Sequence, residues 1–430
     1  MARAQATGSA RRPWISLGIR GWRVELGLFA VSFLVLLAAD LTAPWGPYFV
    51  LGCVGVVLWR RPDLRERYET SVVERRNSYR IALALEACEI LGRAGTAPTV
   101  LSTEVTQVGL RYKLRLPPGL HVELLEAAAP VLAAALSARK VLISPHIENA
   151  GLVTVTEVIA DPLPEVIASP LVSLARVDLW QPIPFGIAED GHSMFLQLVE
   201  HNLLLGGEPG AGKSVALSSI VAAAALDPTV LLSLFDAKLV ELAPWRHAAD
   251  HFVGTDVDQA IEVLEQLRAA MEVRYELLLE SGVRKVSKDS DFGLHIVVID
   301  ELALYLRGGT KSQRDRFAEL LRDLIARGRA AGIIVVAATQ KPSHDVVPTS
   351  IRDLFSYRLA MRCSSSDASD TILGQGWASR DYSAASIAPA NRGVGYLLAE
   401  GGVPVLIKTP HLSDAEIAVV ARRAASGRSL

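Results

Sequence analysis

The sequence predicts an α/β fold, a parallel sheet with helices on both faces, and three observations carry that prediction. From about Pro184 to Thr409, continuous apolar runs alternate with helical stretches. Strands that are apolar throughout belong to parallel sheets covered on both sides. One of these runs ends in a glycine-rich loop that opens a helix, and another ends in Asp-Glu. A small α+β module and an N-terminal two-helix transmembrane hairpin are expected ahead of this domain.

The hairpin accounts for the composition. Half of the 430 residues are hydrophobic and the mean hydropathy is +0.29, and most of the excess lies before residue 60. Leu26–Ala39 and Pro47–Trp59 are apolar runs of about 14 to 18 residues, slightly short for a hydrocarbon core of about 30 Å. Asp40–Gly46 supplies a turn with an interfacial Trp45. Arg3, Arg11, Arg12, Arg20 and Arg23 precede the first run, and Arg60, Arg61, Arg65 and Arg67 follow the second. Positive charge on both flanks puts both in the cytoplasm. A cleaved signal peptide fits less well, because the motif that follows belongs inside the cell. The expected layout is a cytoplasmic basic segment 1–24, a two-span hairpin 25–60 in the cell membrane, and a cytoplasmic remainder.

Residues 61–99 read as a stalk or linker, charged at first and then helical (RIALALEACEIL). Residues 100–165 read as the small α+β module. Thr103–Leu116 alternates like a strand, Glu123–Leu136 is an alanine-rich helix, and Lys140–Ile143 and Leu152–Ile159 are further strands. Prolines 162, 164, 170, 182 and 184 punctuate a linker. The main domain spans 180–412, with strands at Asn202–Leu205, Val230–Asp236, Leu294–Asp300, Ile333–Thr339 and Tyr357–Met361, and 413–430 is a C-terminal helix and tail. Three widely spaced cysteines match no disulfide or metal pattern. A net charge of −2 gives no general attraction for nucleic acid, so any such contact needs a local basic track.

The first chemical motif is Gly207-Glu-Pro-Gly-Ala-Gly-Lys-Ser214, followed by Val215 and a helix. It fits the pattern in which glycines let backbone N–H groups face phosphate oxygens at a helix N-terminus. The segment 207–215 would hold ATP: Gly207, Glu208, Pro209, Gly210, Ala211, Gly212, Lys213, Ser214 and Val215. Lys213 offers a point charge for the β- and γ-phosphates, and Ser214 a hydroxyl for Mg²⁺. The second motif is Ile296-Val-Val-Ile-Asp-Glu301. Asp300, at the C-terminal edge of a buried strand, would bind Mg²⁺, and Glu301 would act as general base on the attacking water.

Five further stretches resemble segments of one family, the FtsK/SpoIIIE translocases. Asp236-Ala-Lys-Leu-Val-Glu-Leu242 is similar to DPKxVEL, and Asp300-Glu-Leu-Ala303 to DE(F/L)A. Arg329-Ala-Ala-Gly332 with Ala338-Thr-Gln-Lys-Pro-Ser343 is similar to RAAG…ATQRPS. Ser364–Gly374 resembles SSKxDSRTILD, and Pro184–Gly191 resembles the lead-in to the phosphate loop. The resemblance spans about residues 180–410 and implies a RecA-like P-loop NTPase that forms a homo-hexameric ring around double-stranded DNA. It implies that Gln340 senses the γ-phosphate and that Arg329 is an arginine finger into the neighbouring site. It also implies DNA contacts from Lys341 and Arg352, with Lys311 and Arg314 as additions from the loop after Asp300-Glu301. Lys341 stands where the family has arginine and lacks the bidentate fork. Asp236 and Lys238 read either as a simple ion pair or as nucleotide neighbours.

The 19 residues after His411 hold one helix, too short for the winged helix of cell-division members. The expectation is therefore a membrane-anchored, ATP-dependent DNA translocase resembling the compact transfer proteins of actinomycete conjugative elements, with other transfer proteins as possible partners. Chromosome segregation is the alternative within the mechanism. An ATPase of a protein secretion complex and a non-hydrolysing nucleotide-binding scaffold are the alternatives outside it.

Overall fold

A computed structural model of the chain describes residues 62–428 except Gln107, Ile147, Asp161, Pro162, Pro164, Glu165 and 341–346, with side chains from Glu74 onward. The expected segments 1–24 and 25–60 lie outside the described residues. Among those described, no helix is long and apolar enough to cross a membrane. The chain divides into two compact units, Met1–Ala160 and Asp161–Leu430.

In the first unit, helix α1 (Pro62–Ala87) precedes β1 (Thr99–Val105), β2 (Gly109–Arg115), helix α2 (Val122–Leu136), β3 (Lys140–Pro145) and β4 (Leu152–Val158). The four strands form an antiparallel sheet in the order β1-β2-β4-β3. Strand alternation sends Leu110, Tyr112 and Leu114 to one face, where they pack with Leu125, Leu132 and Leu136 of α2. The run Thr103–Leu116, expected as one strand, is a hairpin: Thr106 N donates to Gly109 O (2.8 Å), and Gly109 has φ +153°. Nor is the stalk independent of the module. Ile81, Ala84 and Leu85 of α1 are buried in the same core, and Arg80 pairs with the buried Glu157, which also accepts from Tyr112 Oη (2.8 Å).

The second unit contains β5 (Ile183–Ala188), β6 (Ser193–Leu196), β7 (Leu203–Gly206), α3 (Lys213–Leu226), β8 (Leu231–Phe235), β9 (His251–Val253), α4 (Val257–Glu280), β10 (His295–Ile299), α5 (Leu302–Arg307), α6 (Lys311–Arg327), β11 (Ile333–Thr339), α7 (Thr349–Arg352), β12 (Tyr357–Met361), α8 (Ser366–Leu373), β13 (Val394–Leu398), β14 (Val405–Lys408) and α9 (Asp414–Arg428). One sheet runs β6-β5-β14-β13-β12-β7-β11-β10-β8-β9. The segment β12 to β9 is parallel, and β13, β14, β5 and β6 continue it antiparallel. The sheet is thus mixed and mostly parallel. The four antiparallel strands are short, and β5 and β13 are broken by Pro184, Gly186 and Gly395, which hides them from a reading based on long apolar runs.

Both faces are covered, and successive residues of a strand serve opposite cores. Ile296 and Val298 point to the core that includes α3 and α9, whereas Val297 and Ile299 point to the one that includes α4 and α6. Helix α3 is buried almost all round, with Ala222–Ala225 at 0–1% exposure. Small side chains let it lie between the sheet and α9. This places the N-terminus of α3 at the C-terminal edge of the parallel strands, where doubly wound sheets bind ligands.

Candidate active site

The loop between β7 and α3 can turn only because of its glycines. Gly207, Gly210 and Gly212 have φ of +153°, +77° and +108°, a region that side chains rarely adopt. A Cβ on Gly212 would also lie 2.6 Å from Gly393 N. Distant segments hold the loop in place. Glu208 N donates to Arg362 O (2.9 Å), Gly393 N donates to Ala211 O (2.8 Å), and Arg362 pairs with Glu208 at 3.3 Å. Just before the loop, a Cβ on Gly206 would meet Ile372 Cδ1 at 1.5 Å.

Lys213 opens α3 and is 7% exposed. Its Nζ donates to Gly207 O (2.6 Å) and Glu208 O (3.0 Å), so the ammonium lies under the loop. Burial pushes its pKa down to about 8, partly offset by the nearby Glu301. Lys213 and Ser214 line one pocket with Lys238, Glu241, Asp300 and Gln340.

Asp300 follows β10. Its Oδ1 accepts from Ala237 N (2.8 Å), and its Oδ2 is buried with no hydrogen-bond partner. Burial pushes its carboxyl up to about 7. A buried orphan carboxylate oxygen in a pocket that a serine also lines fits a hard divalent cation. Asp300 and Ser214 would hold Mg²⁺ there, and the ion's charge would offset the cost of burying the carboxylate. Glu301 is fixed by β11: its Oε1 accepts from Thr339 Oγ1 (3.0 Å) and its Oε2 from Gln340 N (3.1 Å). The loop, Lys213, Ser214, Asp300, Glu301 and Gln340 therefore gather at one sheet edge.

The remaining predicted residues lie elsewhere. Arg329 sits just before β11, at the opposite edge. A strand of this length spans about 20 Å, far beyond the reach of an arginine side chain, so Arg329 cannot meet its own chain's loop. It is half-buried and pairs with the exposed Glu400 at 3.5 Å. Lys341 falls outside the described residues. Arg352, expected to face DNA, is instead 4% exposed, with Nη1 donating to Thr371 O (3.2 Å) and Nε to Asp353 Oδ1 (3.1 Å). Its charge holds the fold together in this arrangement. Lys311 and Arg314 are not in a loop: Thr310 caps α6 through a capping box with Gln313, and both fall in the first turn. Lys311 is exposed, while Arg314 Nη1 donates to Gly309 O (2.7 Å). Asp236 does not bind the Lys238 ammonium; it accepts from Lys238 N (3.3 Å) and Leu242 N (2.9 Å) and shapes the loop between them. Residue-level reading did not single out Gly206, Gly393, Ala237, Thr339 or Arg362. The segment Asn391–Gly393 offers only a turn signal, since contacts over such sequence distances leave no local pattern.

A family model described as FtsK/SpoIIIE family matches residues 163–392. The chain belongs to the FtsK/SpoIIIE family. DNA translocase FtsK of Chlorobaculum tepidum is 32% identical over 237 residues, covering 50% of this chain and 28% of that protein. The DNA translocase FtsK of Streptococcus pneumoniae is 28% identical over 317 residues, 66% of this chain and 40% of its own length. This chain therefore aligns with less than half the length of these relatives. Among solved structures, the pCW3 conjugation coupling protein TcpA with ATPγS superposes with a TM-score of 0.53 at 19% identity, covering 81% of this chain and 98% of that one. The EssC ATPases 2 and 3 of Geobacillus thermodenitrificans superpose with a TM-score of 0.52 at 17% identity over 63% of this chain and 52% of theirs. At such identities the likeness is one of fold. By family and by fold, this FtsK/SpoIIIE member is a P-loop ATPase.

Proposed function

We propose that this chain is a membrane-anchored, ATP-driven pump for double-stranded DNA, acting in conjugative transfer as a homo-hexamer. One observation carries the reading: the phosphate loop, Lys213, Asp300 and Glu301 converge at one sheet edge while Arg329 lies at the other. The site in one chain is thus short of a cation that a neighbouring copy can supply. A ring in which each Arg329 enters the next chain's pocket completes every site, and an arginine placed this way can be worth roughly 10³–10⁵ in rate.

The chain's own residues divide the work. The backbone of 207–213 and the Lys213 ammonium bind and orient the phosphates of ATP, which provides the bond to be cleaved. Ser214 and Asp300 would hold Mg²⁺, which neutralises phosphate charge when bound. Glu301, fixed by Thr339 and Gln340, is positioned to orient a water and take its proton. Because Gln340 N is bound to Glu301, a change at that carboxylate is passed to the segment beginning at Lys341. Lys341 and Lys311 remain the candidate DNA contacts. Resemblance to compact transfer proteins and the fold shared with a conjugation coupling protein support transfer over segregation. The apolar runs within 25–60 support the anchor.

Mixing two inactive variants tests the central claim. Lys213→Ala should abolish ATP binding, and Arg329→Ala should retain binding and lose turnover. Combined, they should regain part of the ATPase activity, because mixed neighbours contain some intact sites. Absence of any recovery would overturn the shared site. Duplex DNA should stimulate the wild-type rate, and stimulation by secreted peptides instead would favour a secretion ATPase.

A further inference from the structure

We propose that the loop Lys238–Glu241 of one copy docks into the recess around Arg329 of a second copy of this chain. The inference rests on the shared-site reading above and identifies what else meets at that boundary.

The loop carries two adjacent exposed aliphatic side chains. Leu239 is 54% exposed and Val240 70% exposed, and Leu239 has φ +59°, in the left-handed region that a branched side chain avoids. Its shape is enforced from both ends. Asp236 accepts from Lys238 N and Leu242 N, and Asp300 accepts from Ala237 N. Two neighbouring aliphatic side chains held out in water on a strained backbone are costly unless something covers them.

The recess lies at the other edge of the same unit, with a volume of about 610 Å³. Trp377 and Leu398 line it over the buried Phe355 and Leu373, with Arg329 and Glu400 on the rim beside the Arg358–Asp353 pair. Charges match across the two surfaces. Lys238 on the loop suits Glu400, and Glu241 suits Arg329. The partly exposed Arg329–Glu400 pair at 3.5 Å is weak enough to exchange. Position matches as well. Lys238 and Glu241 border the nucleotide pocket that a neighbour's Arg329 would enter, so an arriving Arg329 brings its recess to this loop. The contact is head-to-tail, with a different patch on each copy, as ring closure requires.

Disulfide trapping of the full chain in detergent, with a slowly hydrolysed ATP analogue, tests this. A chain with both Val240→Cys and Ala399→Cys should form a ladder of oligomers on mild oxidation. A mixture of the two single variants should stop at dimers, and each single variant alone should stay at monomer mass. A double variant that stays monomeric, or single variants that form the same ladder, would overturn the docking. Val240→Asp should raise the protein concentration giving half-maximal ATPase activity by about tenfold, and an unchanged concentration would count against it. If the Lys213→Ala and Arg329→Ala mixture recovers activity while the cysteines fail to link, the shared site stands and only this docking falls; if neither works, both fall.

Discussion

Two charged groups in the pocket are shifted toward neutrality, and their pKa values bracket a narrow window. Lys213 is pushed down to about 8 by burial, and Asp300 up to about 7 by the same cause. Phosphate needs the ammonium and the divalent cation needs the carboxylate, so binding of Mg-ATP should weaken below about pH 7 and above about pH 8. Titration of nucleotide affinity against pH in the wild-type chain should give this bell, and a flat profile across the range would be inconsistent with it. Stability has its own sign. The pKa of Asp300 is raised by folding, so its contribution is present at low pH and lost as pH rises through about 7. Without nucleotide, wild-type stability relative to Asp300→Asn should fall between about pH 4 and pH 7, by up to about 1.4 kcal/mol per pH unit. Denaturant titration at several pH values measures it. The chemistry of these residues could be read in the sequence because each sits in a short motif. Arg352 could not: a basic side chain near a segment expected to face DNA looks the same whether it points outward or is buried against Thr371 O.

At the scale of elements, the junction of β7, its loop and α8 is the tightest point. Gly206→Ala would press a methyl group onto Ile372, and overpacking of this kind costs about 1–3 kcal/mol. Ile372→Ala alone leaves a void and costs about 2–5 kcal/mol. The double variant should cost less than the sum, since each change relieves the other. Thermal denaturation of the four proteins measures this coupling, and strict additivity would mean that the two groups do not touch. The parallel strands were legible because each is a continuous apolar run. The antiparallel extension was not, because β5 contains Pro184 and Gly186, β6 and β14 have four residues each, and the β5–β14 pairing joins residues more than 200 positions apart, as with Ile407 and Ala188. The hairpin of the first unit looks like one strand in the sequence because Val108, within its turn, is as buried as the strands beside it.

For the molecule as a whole, the proposed pump predicts that linear duplex DNA raises the ATPase rate of the full chain and that the effect declines steeply with salt, as phosphate contacts require. Lys341→Ala with Lys311→Ala should keep the basal rate, reduce stimulation and flatten that salt dependence. Equal stimulation in the double variant would remove both lysines from the DNA path. Composition points to neither the proposed ring nor the proposed DNA path, since a net charge of −2 conceals any local track.

The phosphate loop is gripped by backbone that arrives late in the chain. Glu208 N waits for Arg362 O, and Ala211 O waits for Gly393 N, itself tied to Thr409 through Thr409 N to Gly393 O (2.9 Å). A ribosome that has made residues 1–390 has therefore finished every residue of the ATP motifs but not the clamp that shapes them. Such a nascent chain should not retain nucleotide. Competence should appear only once the β13–β14 hairpin has emerged, so a half-made chain should not hydrolyse ATP.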